Sequence, residues 1–150
     1  MSSNYLDRYV VIQVCIALAI LISTPFARHS IFIIQTIGAI LLMIGTVFLI
    51  ISGKNLGFAL TPVVTPKENA QLVTSGMYRL VRHPIYTGVI LLAIGWSLFW
   101  CSLLSFLFSL MLIVFFDFKT KKEEFLLSQK FLEYANYKKQ VKKKMIPFIY

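Results

Sequence analysis

The segment from Leu72 to Gly88 gathers side chains suited to binding a charged ligand. Two arginines, one histidine and two tyrosines surround Pro84 within it. Gly76 permits a tight turn, and Pro84 suits the first turn of a helix, where its missing N–H costs no hydrogen bond. Arg82 and His83 then lie where that helix begins, and its free N–H groups and positive dipole end favour an anion. The pattern fits a binding site, and it fits equally well an interfacial belt of Tyr and Arg that anchors a membrane helix.

A second cluster joins positive and negative side chains further along the chain. Lys119 lies four residues before Glu123, so the two share one face of a helix. As an ordinary surface ion pair they would contribute only about 0–1 kcal/mol. If a hairpin of membrane helices brings this cluster back beside Arg82 and His83, groups of both signs flank one interfacial cleft. Such a cleft suits a zwitterion, for example an amino-acid moiety with a carboxylate and an ammonium.

The elements that position these clusters are membrane helices, because the composition is too apolar for a soluble domain. Of the 150 residues, 58% are hydrophobic and 14% are charged, and the mean hydropathy is +0.78. A soluble domain of this length leaves roughly a third of its unfolded-chain surface in water, and this chain has too little polar material to cover it. The same composition excludes intrinsic disorder and a secreted disulfide scaffold. A nucleic-acid module would explain the net charge of +9 but not the apolar runs.

Four apolar segments are predicted to cross the membrane, a crossing that takes about 20 residues for about 30 Å of hydrocarbon. They are Tyr9–Phe26, Ser30–Ser52, Tyr86–Trp100 and Leu103–Phe118. A tight turn at Arg28-His29 predicts that the first two form an antiparallel hairpin. Gly38 and Gly45 in the second permit close approach of another helix. The turn between the last two is expected at residues 101–102, next to interfacial tryptophans.

The predicted fold is therefore an all-α polytopic membrane bundle of about four transmembrane helices in a single domain, 1–150. Residues 1–52 form its N-terminal helical hairpin, and residues 53–150 carry both charged clusters. Apolar residues at helical spacing after Lys119 predict that the fourth span continues as a C-terminal cytoplasmic amphipathic helix. All basic residues except Arg28 fall on the side that holds both termini, so the positive-inside rule makes that side cytoplasmic.

The lysine-rich tail has two interpretations. Nine lysines follow from Lys119 onward, and each basic residue near an anionic membrane surface contributes about 1 kcal/mol of attraction. On the first interpretation the tail only sets topology and rests on lipid headgroups. On the second it closes over a binding site.

The segment from Leu72 to Gly88 resembles the signature of the isoprenylcysteine carboxyl methyltransferase family. These integral-membrane enzymes use S-adenosylmethionine and are related to phospholipid methyltransferases. The residues that carry the resemblance are Leu72, Val73, Thr74, Ser75, Gly76, Tyr78, Arg82, His83, Pro84, Tyr86 and Gly88. The tail is similar to the family's closing pattern at Glu123-Glu124, Phe131, Glu133-Tyr134, Tyr137, Val141 and Ile146-Pro147. The first two predicted spans match only as hydrophobic helices.

The resemblance implies an enzyme that moves a methyl group from S-adenosylmethionine to a lipophilic acceptor, most simply an isoprenylcysteine carboxylate. The cofactor-binding residues that it implies are Leu72, Val73, Tyr78, His83, Pro84, Ile85, Tyr86 and Glu123. Arg82 and Lys119 are the implied catalytic residues, and Lys119 stands where the family has an arginine associated with the substrate carboxylate. Lysine keeps the charge but lacks the bidentate fork. The spacing from Glu123 to Tyr134 is one residue shorter than in the family, which leaves either Glu123 or Glu124 as the functional acid.

Several alternatives stay open at this stage. The acceptor could instead be a phospholipid amine or a small thiol, in each case entering from the bilayer. The basic tail also suits a non-enzymatic membrane protein that binds anionic lipids, and sterol reductases, which use a nicotinamide cofactor, have a similar C-terminal fold. The sequence has no Gly-rich loop after a predicted strand, so a Rossmann-type methyltransferase is not indicated. The two cysteines do not have metal-ligand spacing, so no metal is predicted. No nucleic-acid partner is predicted, because such a partner would not explain the apolar runs.

Overall fold

The computed structural model describes residues 3–24, 30–57, 61, 63–65, 69 and 71–145, with side chains from residue 8 onward. Its α-helices are α1 (Ser3–Ile22), α2 (Phe32–Leu56), α3 (Pro84–Phe99), α4 (Leu103–Lys130) and α5 (Tyr134–Gln140). A short 3₁₀ helix, Gly76–Arg79, lies between α2 and α3. The described ranges contain no strand, so the prediction of an all-helical fold is confirmed.

The apolar helices begin where local chemistry favours a helix start. Pro84 occupies the first turn of α3. The hydroxyl of Ser102 caps α4 by accepting a hydrogen bond from the backbone N–H of Ser105. Of the described helices, α2 and α4 are long and apolar enough to cross a membrane, whereas Arg8–Ile22 and α3 are shorter apolar helices. α4 runs without a break from the apolar segment into the lysine-rich region and ends at Lys130.

Two pairs of glycines let α2 and α3 pack closely and antiparallel. Gly38 of α2 lies against Gly95 of α3, and Gly45 lies against Gly88. A Cβ atom added to Gly45 would lie 2.9 Å from the backbone nitrogen of Leu92 and 3.0 Å from the carbonyl oxygen of Gly88. Small residues are the usual basis of close helix contact in membranes, where apolar side chains gain little by leaving lipid. The backbones can therefore approach this closely only because these positions carry no side chain.

The partner of α1 is α4, not α2. At the end of α1, the Ser23 hydroxyl lies 2.8 Å from that of Ser105 in α4, and the Ser102 hydroxyl donates to the Ser23 carbonyl at 3.1 Å. The prediction that the first two helices pack as a hairpin is therefore wrong for the described helices. The glycine face of α2 matches α3, and the end of α1, with Ser23 directly after it, matches the hydroxyl groups at the start of α4. The predicted turn at Arg28-His29 lies outside the described residues.

The end of the described tail docks into the helical bundle. The backbone N–H groups of Arg82 and His83 donate to the carbonyl oxygens of residues 143 and 144 at 3.0 and 2.9 Å. The Nζ atom of Lys144, a buried side chain, lies 2.7 Å from a carboxylate oxygen of Asp117. At least this lysine has a structural partner, so headgroup contact alone does not account for the tail. The Ile146-Pro147 part of the closing pattern lies outside the described residues.

Candidate active site

A cavity of about 360 Å³ lies where α1, α3, α4 and the tail come together. Cavities that hold small molecules typically measure about 300–1,000 Å³. All but one of the predicted site residues line it: Leu72, Val73, Tyr78, Arg82, His83, Ile85, Tyr86, Lys119 and Glu123. Pro84 does not line it but lies buried in the first turn of α3, where it helps to start that helix. Two stretches far apart in sequence therefore form one site.

Ion pairs join the start of α3 to α4 at the rim of this cavity. Arg82 Nε lies 2.7 Å from Glu124 Oε1, and His83 Nε2 lies 3.2 Å from the same oxygen. Lys138 Nζ lies 2.8 Å from Glu124 Oε2, which ties α5 to the same carboxylate. The prediction that the exit of α4 returns beside Arg82 and His83 is confirmed. Both oxygens of buried Glu124 are engaged in holding three parts of the chain together.

Glu123 is the acid that faces the cavity. Its carboxylate accepts a hydrogen bond from the Tyr86 hydroxyl at 3.0 Å, and its Oε2 atom lies 3.8 Å from His83 Nδ1. Glu124 is not among the lining residues. Successive residues on a helix point about 100° apart, because one turn takes 3.6 residues. The rotation of α4 thus distinguishes two acids that the sequence left equivalent.

Lys119 supplies a basic group to the cavity wall, in addition to Arg82. The side chain is fully buried, and its Nζ atom donates to Gln13 Oε1 at 2.6 Å and lies 5.2 Å from the centre of the Tyr86 ring. That ring in turn stacks on Phe116 at a centroid separation of 4.6 Å. Sequence reasoning missed Gln13, although a single amide within an apolar span is a usable signal, because polar side chains at that depth are costly and usually functional.

The Arg82 guanidinium contacts the tail in addition to Glu124. Its Nη1 atom donates to the backbone carbonyls of Val141 and Lys142, each at 2.8 Å. Since the Arg82 side chain is 8% exposed, these contacts are largely shielded from solvent. The geometry therefore gives Arg82 a positioning role, and its predicted catalytic role stays a prediction.

Aromatic residues of the tail cover one side of the cavity, namely Phe131, Tyr134 and Tyr137. The Tyr137 hydroxyl donates to the Tyr78 carbonyl at 2.7 Å. Burial raises the pKa of Tyr134 and Tyr137 above the usual value, so both hydroxyls stay protonated. The Tyr134 hydroxyl is buried and has no hydrogen-bond partner within the described structure. A buried unpaired hydroxyl costs about 1–3 kcal/mol, and a bound ligand would remove that cost.

The loop before α3 adds lining residues that no sequence pattern indicates. They are Thr61, Val63, Val64 and Gln71. The 3₁₀ helix beyond them is held by Asn55, whose Oδ1 atom accepts from the Met77 N–H at 3.0 Å. Gly76 adopts a φ of 60° directly against the Asn55 side chain, which confirms the tight turn predicted there. The 3₁₀ helix is thereby fixed to α2, next to the described residues that line the cavity.

Residues 33–133 match the family model described as phospholipid methyltransferase, which is more than half of the chain. The chain belongs to the phospholipid methyltransferase family. The match spans the start of α3 and the Lys119–Glu124 region, the two clusters that meet at the cavity. It does not include Gln13 or the tail after residue 133.

Named relatives of this phospholipid methyltransferase family member include isoprenylcysteine methyltransferases. A "Probable protein-S-isoprenylcysteine O-methyltransferase" of Oryza sativa subsp. japonica is 34% identical over 120 residues, which cover 77% of this chain and 62% of the relative. The "Protein-S-isoprenylcysteine O-methyltransferase" of Schizosaccharomyces pombe is 37% identical over 89 residues, covering 57% of this chain and 38% of the relative.

The fold is similar to that of a solved eukaryotic intramembrane Ras methyltransferase, isoprenylcysteine carboxyl methyltransferase. The TM-score is 0.71 at 27% sequence identity, and the match covers 99% of this chain and 55% of that chain. The resemblance to the isoprenylcysteine carboxyl methyltransferase family is thus confirmed. The chain spans about 62% of the length of its rice relatives.

Proposed function

We propose that this protein is an integral-membrane methyltransferase that transfers a methyl group from S-adenosylmethionine to the carboxylate of an isoprenylcysteine-type acceptor. The observation that carries the proposal is that Glu123 and Lys119, of opposite charge, line one cavity beside His83. The names of the curated relatives support the choice of reaction. A zwitterionic cofactor and an anionic acceptor need both signs of charge at one site.

The residues of the cavity fit S-adenosylmethionine, which supplies a methyl group activated on a sulfonium sulfur. Glu123 is a suitable partner for an amino-acid ammonium, and the unpaired Tyr134 hydroxyl can donate to a polar atom of the cofactor. Leu72 and Val73 provide apolar wall. The ring of Tyr78 or Tyr86 suits a sulfonium cation, because aromatic faces attract positive charge.

The chain's own residues contribute mainly by positioning. A carboxylate acceptor is already ionised near neutral pH, so no side chain has to remove a proton. Lys119 would hold this carboxylate, and Glu123 would hold the amino-acid ammonium of the cofactor. Orientation of two reactants and charge pairing in a site with little water are large sources of rate enhancement. Arg82 and Glu124 would keep the start of α3 and the tail in place around the reactants.

A phospholipid amine is the second candidate acceptor, because the matching family model is described as phospholipid methyltransferase. An amine attacks in its neutral form and becomes an ammonium when it is methylated. A phospholipid product would therefore place a second cation beside the buried Lys119 side chain, which costs Coulomb energy in a site of low dielectric constant. A thiolate, like a carboxylate, is compatible with Lys119. We therefore place the carboxylate first.

We also propose that the four predicted spans cross the membrane and that α4 continues as an amphipathic helix on the cytoplasmic side. The outward faces of α1, α2 and α4 support this proposal, because they expose large apolar residues such as Ile33, Met43 and Val114. In this arrangement the cofactor enters from the cytosol beneath the tail. The acceptor enters sideways from the bilayer.

The test is S-adenosylhomocysteine binding by calorimetry on protein purified in detergent. Glu123→Gln should weaken binding about tenfold, as expected for the loss of a charged hydrogen bond. Tyr134→Phe should weaken binding without lowering the melting temperature, because the hydroxyl has no partner to lose within the described structure. Glu133→Gln, an exposed glutamate, is the matched control. Absence of binding to folded wild-type protein would disprove the proposal.

The acceptor is tested with the same preparation. Transfer of labelled methyl to N-acetyl-S-prenylcysteine is the expected result, with phosphatidylethanolamine as the competing acceptor. Tight binding of a nicotinamide dinucleotide instead would favour a reductase. If anionic liposomes bind the protein and neither cofactor does, the tail is the functional element and the chain is a lipid-binding protein.

A further inference from the structure

We infer that Gln13 and Lys119 together form the subsite that recognises the acceptor's carboxylate, with Gln13 as a specificity-determining residue. This inference rests on the proposed function. Gln13 lies in α1, outside the matched residues 33–133, and nothing in the family match assigns it a role.

The geometry joins the two side chains at the wall of the cavity. Both line it, and Lys119 Nζ donates to Gln13 Oε1 at 2.6 Å. An ammonium has only donors, so the amide must turn its oxygen toward Lys119. The NH₂ group is therefore the end of Gln13 that remains for other partners. α1 and α4, which pack along each other, bring the pair together across 106 positions of sequence.

The pair offers a carboxylate what an arginine would offer. An arginine binds a carboxylate through two parallel N–H donors, whereas a lysine acts as a compact point charge. A Lys119 N–H and the N–H of the Gln13 amide supply two donors with a single positive charge. The two-donor recognition that a lysine alone lacks is in this way divided between two helices.

A purely structural role for Gln13 makes a different prediction. Burying an ammonium without partners is costly, and the Gln13 oxygen could serve only to offset that cost for Lys119. In that case any oxygen acceptor at position 13 would preserve acceptor binding. If Gln13 also donates to the substrate, a carboxylate at position 13 would repel the substrate carboxylate while still satisfying Lys119.

The experiment compares N-acetyl-S-prenylcysteine with its carboxamide, which has the same lipid and no negative charge. The readout is the ratio of their inhibition or binding constants, measured beside S-adenosylhomocysteine affinity. Gln13→Leu should lower the preference for the acid about tenfold, since one hydrogen bond to a charged group is lost. S-adenosylhomocysteine binding should stay unchanged. Gln35→Leu is the matched control, because Gln35 lies in α2 and pairs with Ser30, away from the cavity.

A second variant keeps the test decisive if Gln13→Leu destabilises the protein. Gln13→Glu retains an oxygen acceptor for Lys119, and it should lower the preference for the acid about a hundredfold through like-charge repulsion. Lys119→Arg combined with Gln13→Leu should restore most of the preference, because the guanidinium brings its own second donor.

The outcomes separate the inference from the proposed function. The inference alone is overturned if wild-type protein binds S-adenosylhomocysteine and both variants, Gln13→Leu and Gln13→Glu, discriminate the acid from the carboxamide as well as wild type does. Wild-type protein that neither methylates nor binds the acid overturns the proposed acceptor, and the inference with it.

Discussion

Two neighbouring acids of α4, Glu123 and Glu124, have different contacts because their side chains point in different directions from the helix. Glu124 points toward Arg82, His83 and Lys138, and its two oxygens are occupied by these partners. Glu123 points into the cavity and accepts one hydrogen bond from Tyr86. The neighbouring acids thus have different surroundings: Glu124 holds parts of the chain together, and Glu123 faces the cavity.

We expect Glu124→Gln to destabilise the protein by about 3–5 kcal/mol, because removing one partner of a buried ion pair leaves the other charges without compensation. The melting temperature in detergent, followed by circular dichroism, measures this effect. Glu123→Gln is the comparison variant, and it should leave the melting temperature nearly unchanged. An equal loss of stability in both variants would contradict the division of roles.

The size and polarity of side chains at the contact faces determine which helices pack together. α2 meets α3 through the glycine pairs at Gly38 and Gly45. α1 meets α4 through hydroxyl groups near Ser105 at one end and through Gln13 near the cavity. The start of α3 is held between α4 and the tail. The contacts of Gln13 and of the start of α3 lie at the cavity itself, so the site depends on the pairing of helices distant in sequence.

Gly38→Ala should destabilise the α2–α3 contact. Its Cβ atom would lie 2.7 Å from the carbonyl oxygen of Gly95 and would also overlap the backbone nitrogen of Phe99, and neither backbone group can rotate away. Overpacking of this kind costs about 1–3 kcal/mol. Gly53→Ala is the matched control in the same helix, because nothing lies within 4 Å of its added Cβ. Thermal unfolding that ranks Gly53→Ala below Gly38→Ala in stability would disprove this account.

At the scale of the whole molecule, charge and cavity lie at the same end of the bundle. The start of α3, the lysine-rich part of α4 and the docked tail all meet there, while the α3–α4 turn lies at the opposite end. In the orientation that we propose from the positive-inside rule, the cavity faces the cytoplasm. The same orientation lets the basic tail contact anionic headgroups while buried Lys144 keeps its partner, Asp117.

The proposed orientation predicts opposite labelling at the two ends. In intact cells whose outer membrane surface is accessible to the reagent, a membrane-impermeant maleimide should modify native Cys101, which lies in the α3–α4 turn. A Lys142→Cys substitution in a Cys101→Ser background should react only after the membrane is permeabilised. Cys15→Ala removes the remaining thiol from both backgrounds. Labelling of position 142 from outside would show that the topology is the reverse of the one proposed.

Patterns along the chain predict much of this protein. Pro84 begins a helix, Gly76 makes a turn, and the long apolar segments become helices, because these outcomes depend on nearby residues. The two charged clusters were also predicted to meet, since a short turn at residues 101–102 returns α4 beside α3. All-helical structure follows from such local rules, whereas the list of site residues came from the family resemblance.

Only the tertiary structure decided which helices pair and which side chains reach the cavity. It replaced the expected α1–α2 hairpin with α1–α4 packing, turned Glu123 rather than Glu124 to the cavity, and brought Gln13 to Lys119. These outcomes depend on helix rotation and on the fit between surfaces distant in sequence. Hydrophobic patterning is nearly uniform around apolar helices in a membrane and carries little information about either.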